Sequence, residues 1–478
     1  MQMLTYPITE SGKKPVYKYI YECIRKDIIS GKIHKGERLP SKRALSANLG
    51  VSVITVENAY SLLEQEGFIY TLPKRGYYVS EDAVMGFDPA APEKETGSDP
   101  ATKKFPEKAK KDPATSTKPI ADFTVNKFGT DSFPFDSWAR ISRKVLLDRE
   151  ESFLLPTPGK GVYELRSAIS EYLYEAKGIS APADRIIIGP GTEYLHHILI
   201  QLIGRNSFVA VEDPGYKKVG NIYEANGVKV LHIPVDSEGM VVDKLPSRGT
   251  KLVHISPSHH FPTGCIMSAG RRRRLLEWAR EQEAFLIEDD YDSELRFEGR
   301  PLPPMYSMGS DRVIYMNTFT RSLAPSVRIA YMVLPEKLEK IYNEKLGFYS
   351  GTVSSFDQYT LAAFIKEGYY IRHIRRQRKR FCMYHENLLW AIERSGLDKY
   401  VILHESKAGL HLMMELKHTV NKNFIKLLEE NYIKIAPLEL YCYSNAIKYR
   451  NKYLICYGDY DRDFLLSIMN TIRKALEK

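Results

Sequence analysis

Residues 317–328 read NTFTRSLAPSVR and connect two apolar runs at residues 313–316 and 329–334. Both runs are short and rich in β-branched, aromatic and other large apolar side chains, so they predict two strands joined by a polar connection. Within the connection, Arg321 is the only basic side chain before Arg328, and no lysine occurs. Because a guanidinium remains protonated in proteins, this segment offers a permanent cation and no free amine.

The same alternation of short apolar runs and helical patterns extends on both sides of this segment. Such alternation is typical of a mostly parallel sheet covered by helices on both faces, so we predict an α/β fold. From about residue 355 the pattern becomes a long helical stretch, and a smaller α/β segment follows it. The predicted strands are 185–188, 208–211, 229–233, 252–255, 285–288, 313–316 and 328–334.

Length and composition are those of a multidomain globular protein. The 478 residues are enough for two or three domains, and 43% are hydrophobic while 27% are charged. The sequence has no apolar run long enough to cross a bilayer, and MQMLTYPITESGKK lacks the apolar core of a signal peptide. We therefore predict a cytoplasmic protein with no membrane partner. The net charge of +10 is compatible with nucleic-acid binding but does not establish it.

The cysteines and histidines predict neither disulfides nor a metal site. The five cysteines are odd in number, scattered and without a C-x-x-C pair: Cys23, Cys265, Cys382, Cys442 and Cys456. The spacing of the histidines in the middle of the chain matches no metal-binding motif; these are His196, His197, His254, His259 and His260. We expect no bound metal ion.

Residues 81–119 interrupt the pattern with six prolines, many charges and almost no large apolar side chains. Such a segment cannot bury enough surface to fold, so we predict a linker. It separates an N-terminal domain, residues 1–80, from a large domain, residues 120–478.

The N-terminal domain has the pattern of a helix-turn-helix followed by a wing. Residues 17–31 are helical, Ser41 is placed to cap a second helix, and Ser52 is placed to cap a third after a Gly-Val-Ser turn. Residues 68–79 then predict two strands with a basic tip, an arrangement that binds DNA. Residues 1–80 contain 12 Lys and Arg against 7 Asp and Glu, a net charge of +5. The alternative is a small helical domain whose basic side chains are only solvated.

The stretch LPSKRALSANLGVSVITVENAYSLLEQEGFI, residues 39–69, resembles the winged helix-turn-helix of GntR-type bacterial regulators. The resemblance implies that three groups of residues approach DNA: Ser41, Lys42 and Arg43; Ser52, Ile54 and Thr55; and, at the wing tip, Lys74, Arg75 and Gly76. One departure is Val53, which stands where the family usually has Arg. The loss of that contact puts the usual operator preference in doubt, though not DNA binding itself.

Several motifs of the large domain follow predicted strands in a recognisable order. They are Gly189–Glu193, Glu212–Tyr216, Ser256–Gly264, the acidic cluster Glu288–Glu294 and the segment around Arg321. Together they resemble fold-type I aminotransferases over residues 120–475.

The resemblance implies a pyridoxal phosphate pocket. Asp289 would pair with the pyridinium nitrogen, Tyr291 would bind the ring oxygen and Tyr216 would stack on the ring. The phosphate would be bound by Gly191, Thr192, Thr318, Thr320 and Arg328. Arg450 would bind a substrate carboxylate through its planar fork.

Arg321 takes the position of the lysine that forms the Schiff base in those enzymes. Since a guanidinium cannot form that bond, we predict that pyridoxal phosphate binds at most non-covalently and that the domain is not an active enzyme. The permanent cation could instead bind the carboxylate or phosphate of an effector.

The order of GntR-type domain, linker and aminotransferase-like domain resembles the MocR/GabR-like subfamily of regulators. This implies a transcriptional regulator that binds a double-stranded DNA operator and senses a small anionic effector, an amino acid or a pyridoxal phosphate derivative. It also implies a homodimer, domain-swapped head to tail. Lys217 and Lys218 stand where GabR-like chains have two arginines, so we expect an effector other than GABA. Two alternatives are an aminotransferase with an accessory DNA-binding domain and a ligand-free dimerisation scaffold.

Overall fold

The computed structural model describes residues 4–8, 15–72, 75–80, 119–127, 129, 132–296, 303–404, 409–417, 424–444 and 446–477. The chain divides into two units, Met1–Ala109 and Lys110–Lys478, and each is described by itself. The predicted linker lies outside the described residues apart from Pro119. Among the helices that the structure describes, none is both long enough and apolar enough to span a bilayer.

The smaller unit consists of three helices and a two-stranded hairpin. Its elements are α1 (Val16–Ile29), α2 (Lys42–Leu49), α3 (Val53–Gln65), β1 (Ile69–Leu72) and β2 (Gly76–Val79). One face of α1 packs with α3 and the hairpin in an apolar core. The two strands are antiparallel, with Ile69 opposite Val79. The predicted winged helix-turn-helix is confirmed.

Both predicted helix caps in this unit are formed. Ser41 Oγ accepts a hydrogen bond from Ala44 N at 3.2 Å, and Ser52 Oγ accepts one from Thr55 N at 3.1 Å. Gly50 ends α2 with φ +66°, a left-handed conformation that glycine adopts without a steric cost. The turn between α2 and α3 is therefore determined by local sequence.

The larger unit contains the remaining elements. In chain order they are β3 (Ala121–Asp122), α4 (Phe135–Asp148), α5 (Tyr163–Lys177), β4 (Ile186–Gly189), α6 (Thr192–Ile203), β5 (Phe208–Asp213), α7 (Lys217–Ala225), β6 (Lys229–Asp236), β7 (Gly239–Met240), β8 (Thr250–Ile255), α8 (Ala269–Glu281), β9 (Phe285–Asp289), α9 (Met305–Met308), β10 (Val313–Thr318), α10 (Phe319–Ser322), β11 (Ala330–Val333), α11 (Glu336–Leu346), α12 (Ser355–Lys366), α13 (Tyr369–Ser395), β12 (Val401–His404), β13 (His411–Leu416), α14 (Phe424–Glu430), β14 (Ile433–Lys434), β15 (Ala436–Pro437), β16 (Lys452–Cys456) and α15 (Arg462–Leu476). All seven predicted strands are present, with ends that differ by a few residues.

The central sheet has eight strands in the order β4-β11-β10-β9-β8-β5-β6-β7. Strands β10, β9, β8, β5 and β6 are parallel to one another, while β11 is antiparallel to both β10 and β4 and β7 is antiparallel to β6. Successive side chains of β4 pack on opposite faces of the sheet, in two different apolar cores: Ile186 and Ile188 in one, and Ile187 in the other. Helices thus cover both faces, as the continuous apolar strands predict.

The smaller α/β segment follows the long helix α13. Its four strands, in the order β12-β13-β16-β15, form an antiparallel sheet. Helices α13, α14 and α15 contribute to the apolar core beside it. Strand β3, from the start of this unit, pairs with β14, so the first described residues of the large unit join its C-terminal part.

Candidate functional site

The predicted cofactor residues lie where parallel strands end. Asp289 is the last residue of β9 and Thr318 is the last residue of β10, and these strands are adjacent and parallel with Met316 opposite Asp289. Gly191 and Tyr216 follow strands β4 and β5 in the same sheet. Ligand sites in such sheets form outside the carboxyl ends of the strands.

A cavity of about 330 Å³ lies at this edge. It is lined by all eight residues predicted to bind the cofactor, Gly191, Thr192, Tyr216, Asp289, Tyr291, Thr318, Thr320 and Arg328, and by Arg321. It is also lined by Lys218 and by four residues for which the sequence predicted no individual role, namely Glu193, Ser256, Phe261 and Pro325. A volume of this order suits a small molecule.

At one end of the cavity, Asp289 has an unused hydrogen-bonding atom. Its Oδ1 is buried and has no hydrogen-bond partner among the described residues, while its Oδ2 lies 3.4 Å from His254 Nε2. A buried acceptor without a donor costs free energy, which a bound N–H group would recover. The geometry therefore suits a ligand with a protonated ring nitrogen.

Two aromatic side chains border the same end. Burial raises the pKa of Tyr291 well above its usual value, against the effect of Arg321, so its hydroxyl stays protonated and can donate a hydrogen bond. That hydroxyl lies 3.4 Å from His259 Nδ1. Tyr216 is half exposed and meets Phe261 edge to face, with 5.8 Å between ring centroids. A planar ligand could contact the exposed ring of Tyr216.

The other end of the cavity is formed by the start of α6 and by the β10–β11 connection. Gly191 precedes α6 with φ +119° and gives the helix no side-chain cap. This positive φ strains any residue with a Cβ atom, and a Cβ atom here would also lie 2.5 Å from Arg328 Nη2, so the position favours glycine. The hydroxyls of Thr318 and Thr320 donate to backbone carbonyls, at 3.4 Å and 3.0 Å, which orients them. Free helix N–H groups with a nearby guanidinium can bind an anion.

A carboxylate of the protein itself already lies at this anion-binding end. Glu193, the second residue of α6, accepts a hydrogen bond from Arg328 Nη2 at 2.9 Å and another from Lys218. Burial by itself would raise the pKa of Glu193, but Lys218, the backbone and Arg328 lower it to about 2. Glu193 is therefore ionised at neutral pH. The available signals in the sequence were the acidic residue directly after a glycine turn and the basic pair at residues 217–218.

Arg321 is an exposed cation at the end of α10. Within the described part of the chain, no hydrogen bond or ion pair involves its guanidinium. Its charge nevertheless reaches neighbouring groups. Burial raises the pKa of Cys456 to about 12, and the charge of Arg321 opposes this rise. For His411, burial lowers the pKa, and the charge of Arg321 lowers it further. The guanidinium is thus available to an anionic ligand.

The structure does not bring Arg450 to this cavity. Its side chain is 65% exposed and its nearest acidic partner is Glu439, 3.8 Å from Nε. Arg450 is not among the residues that line the cavity, and its role in binding a carboxylate stays a prediction. Arg450 precedes the turn at Asn451, where φ is +66°, and β16 begins only at Lys452.

Two lysines near the site are engaged in ion pairs. Lys218 lines the cavity but pairs with Glu193. Lys177, at the end of α5, is buried with its Nζ 2.7 Å from both Asp290 and Glu294, and it borders a second cavity of about 470 Å³. Burial by itself would lower the pKa of Lys177, but the two carboxylates raise it above its usual value. Both amines therefore already have carboxylate partners.

A histidine cluster that the sequence pattern did not predict lies close by. The cluster consists of three buried residues, His259, Asp292 and His411. Each has one potential metal-ligand atom, and these three atoms lie within 4.8 Å of one another. His259 Nδ1 is 2.7 Å from Asp292 Oδ2, within hydrogen-bonding distance. Arg321 adds positive charge beside His411, which disfavours a metal cation there. The expectation of no metal ion stays a prediction.

Two of the three groups predicted to contact DNA lie at helix starts. Ser41, Lys42 and Arg43 lie at the start of α2, and Ser52, Ile54 and Thr55 lie at the start of α3. Arg43 is exposed, whereas Lys42 pairs with Glu57 at 2.6 Å. Ile54 is 68% exposed near the start of α3, so its side chain is accessible to a partner. Ser52 and Thr55 bond to each other at 2.8 Å, so both have structural roles as well.

The wing is described in part. Arg75 is exposed, and Gly76 begins β2. Lys74 lies outside the described residues, so its predicted role stays a prediction. An exposed arginine beside a recognition helix is suited to contact phosphate or a base edge.

Comparison with known proteins agrees with both units. Residues 118–448 match the family aminotransferase class I and II, and residues 16–79 match the gntR family of bacterial regulatory proteins. An uncharacterised HTH-type transcriptional regulator of Bacillus subtilis, YdeL, is 36% identical over 429 residues, which is 89% of each chain. The probable rhizopine catabolism regulatory protein MocR of Rhizobium meliloti is 30% identical over 432 residues, 89% of this chain and 86% of that one.

The fold of the large unit also agrees with a solved structure. The multiple substrate aminotransferase of Thermococcus profundus superposes with a TM-score of 0.66 at 21% identity, covering 76% of this chain and 92% of that one. At this identity the likeness concerns the fold alone. The two family matches and the relatives that match most of the chain show that it belongs to the MocR/GabR-like subfamily of GntR-type transcriptional regulators, in which a winged helix-turn-helix is joined to an aminotransferase class I and II domain.

Proposed function

We propose that this regulator binds a small anionic ligand in the cavity that Arg321 lines, and that the ligand controls its action on DNA. One observation carries the proposal. Arg321 lines a cavity that suits a small molecule, and within the described part of the chain its guanidinium has no hydrogen-bond or ion-pair partner. A planar guanidinium is suited to bind a carboxylate through two hydrogen bonds. An amino acid or a derivative of pyridoxal phosphate has the required charge.

The cavity fits pyridoxal phosphate in part. At the ring end, the free Oδ1 of Asp289 suits a pyridinium N–H, Tyr291 can donate to the ring oxygen, and Tyr216 can contact the ring face. At the phosphate end, the helix N-terminus and Arg328 suit a phosphate, but Glu193 already binds Arg328 and Lys218. When bound, pyridoxal phosphate supplies an aldehyde that condenses with amines. The residues that line the cavity would hold and orient the molecule.

Transamination is not part of the proposed function. It needs a free amine both to bond the cofactor and to move a proton, and Arg321 cannot supply one. Lys218 and Lys177 are both held in ion pairs, which argues against either as a substitute. The two alternatives are an active aminotransferase with a DNA-binding domain and a scaffold that binds no ligand.

Chemical trapping tests the proposed absence of a covalent bond. After borohydride reduction of the protein with added pyridoxal phosphate, mass spectrometry is expected to find no phosphopyridoxyl group on Lys218 or Lys177. The variant Arg321→Lys provides the positive control, because it places an amine in the cavity and is expected to be modified at residue 321. A stoichiometric adduct on a lysine of the natural protein contradicts the proposal.

Calorimetry tests the proposed role of Arg321 in ligand binding. Against the common amino acids and pyridoxal phosphate, Arg321→Ala is expected to lose about 10- to 100-fold in affinity for whichever of these probes the natural protein binds, since a charged hydrogen bond contributes about 1.5–3 kcal/mol. Arg450→Ala is the matched control, because it removes an arginine outside the cavity, and it should bind as the natural protein does. If Arg321→Ala binds these probes as tightly as the natural protein does, Arg321 does not contribute to the ligand site.

We also propose a homodimer, domain-swapped head to tail as the resemblance implies. An exposed apolar group in the large unit supports an assembly surface: Phe153 stacks on Phe356 with 4.2 Å between centroids, and the adjacent Leu154 is 86% exposed. Sedimentation equilibrium is expected to give twice the mass of one chain. A monomer at micromolar concentration would contradict this.

A further inference from the structure

We propose that Glu193 is a tethered occupant of the anion-binding end of the cavity, and that the ligand sensed there is therefore a carboxylate that carries no phosphate monoester. This inference rests on the proposed function, because it concerns the same cavity. It extends that proposal by naming the class of ligand.

The position of the Glu193 carboxylate is the first argument. Its Oε2 lies 2.9 Å from Arg328 Nη2 and would be 2.6 Å from a Cβ atom built on Gly191. Its Oε1 is bound by Lys218. The carboxylate thus lies over the glycine that opens α6, between the two cations nearest to it. A phosphate group would need the same cations and the same helix end.

Charge balance is the second argument. Arg328 and Lys218 together carry two positive charges, and the ionised Glu193 leaves one of them uncompensated. A phosphate monoester carries about −1.5 to −2 at neutral pH. Binding it beside Glu193 would place an excess of negative charge at this end, while displacing Glu193 would break two ion pairs. Either course weakens the binding of a phosphate monoester.

Arg321 supplies the complementary preference. It lines the same cavity, and in the described part of the chain its guanidinium has no carboxylate partner. A ligand with a single carboxylate can therefore bind Arg321 without competing with Glu193. A ligand whose only anionic group is a phosphate monoester meets the occupied end of the cavity.

The experiment compares two ligands that differ by the phosphate alone. The full-length protein is titrated with pyridoxal phosphate and with pyridoxal, and dissociation constants are measured from absorbance or calorimetry. Glu193→Gln, which keeps the shape and removes the charge, is expected to tighten binding of pyridoxal phosphate by about tenfold or more and to change binding of pyridoxal by less than about twofold. Glu193→Ala is measured as well, in case the Gln side chain itself binds Arg328.

The matched control is Glu336→Gln. Glu336 is likewise held by two cations, Arg185 at 3.0 Å and Lys340 at 2.9 Å, but it does not line the cavity. This control is expected to bind both ligands as the natural protein does. Thermal unfolding of each variant confirms that it is folded before it is compared.

The possible outcomes separate this inference from the proposed function. If both Glu193 variants bind pyridoxal phosphate no better than the natural protein, the inference is wrong, while loss of ligand binding in Arg321→Ala would still support the ligand site. If the natural protein already binds pyridoxal phosphate about tenfold more tightly than pyridoxal, Glu193 does not exclude the phosphate and the inference is also wrong. If no variant binds any anionic probe, both proposals fail together.

Discussion

Replacing Arg43 and Arg75 by alanine in one variant is expected to weaken specific DNA binding by about 100-fold. Each arginine that contacts a base or phosphate contributes on the order of 1–3 kcal/mol, and the two lie on the second helix and on the wing. Both side chains are exposed, and within the described residues no hydrogen bond or ion pair engages either guanidinium. Each is therefore free to contact DNA.

Fluorescence anisotropy measures this effect at one fixed salt concentration, because affinity for DNA depends strongly on salt. The probe is a duplex selected from a random pool by the natural protein. Lys42→Ala is the matched control on the same helix: its ammonium is already paired with Glu57 at 2.6 Å, so a smaller loss is expected. Unchanged affinity in the Arg43→Ala, Arg75→Ala variant would show that this surface does not bind DNA.

Replacing Lys177 by methionine is expected to lower the free energy of unfolding of the large unit by about 3–5 kcal/mol. Removing one partner of a buried ion pair leaves an uncompensated buried charge, and here two carboxylates, Asp290 and Glu294, lose the same partner. Lys177 also donates to the hydroxyls of Ser293 at 2.7 Å and Tyr315 at 2.8 Å. Methionine has a similar length, so the effect of the charge dominates over that of volume.

Urea unfolding followed by tryptophan fluorescence measures this loss. The control Lys144→Met breaks an exposed ion pair with Glu367, where the two side chains are 61% and 37% exposed, and it is expected to leave the midpoint unchanged. An equal midpoint for Lys177→Met and the natural protein would show that the buried cluster does not contribute to stability.

The pH dependence of the Lys177→Met effect follows from Asp290. Burial by itself would raise the pKa of Asp290, but Lys177 lowers it below its usual value. In the natural protein this contributes stability above about pH 4, which is lost as the pH falls further. Without Lys177, burial favours the protonated form of Asp290. Lowering the pH then protonates this carboxylate and removes the buried charge that has no partner. The difference in unfolding free energy between the two proteins is expected to narrow from pH 7 to pH 4, and a constant difference would contradict this origin.

The sequence by itself determined the features that depend on local patterns. The caps at Ser41 and Ser52 and the turn at Gly50 depend on neighbours three residues away or fewer, and all were predicted. The strands were predicted from apolar runs. Nine of the residues that line the cavity were named from the resemblance to fold-type I aminotransferases, and they lie together because residues that follow different strands of a parallel sheet meet at one edge.

Only the tertiary structure decided which charged groups meet. Glu193 binds Lys218 and Arg328, which are 25 and 135 residues away along the chain, and Lys177 lies 113 residues from Asp290. No periodicity encodes such pairs, because they depend on how helices stack on the sheet and on which rotamer each side chain adopts. The same reason explains why Arg450 does not line the cavity, since it precedes a turn before β16 and its side chain is exposed. Strand order and local pattern therefore identify the cavity, while the charge balance inside it, which decides what it can bind, depends on contacts between distant parts of the chain.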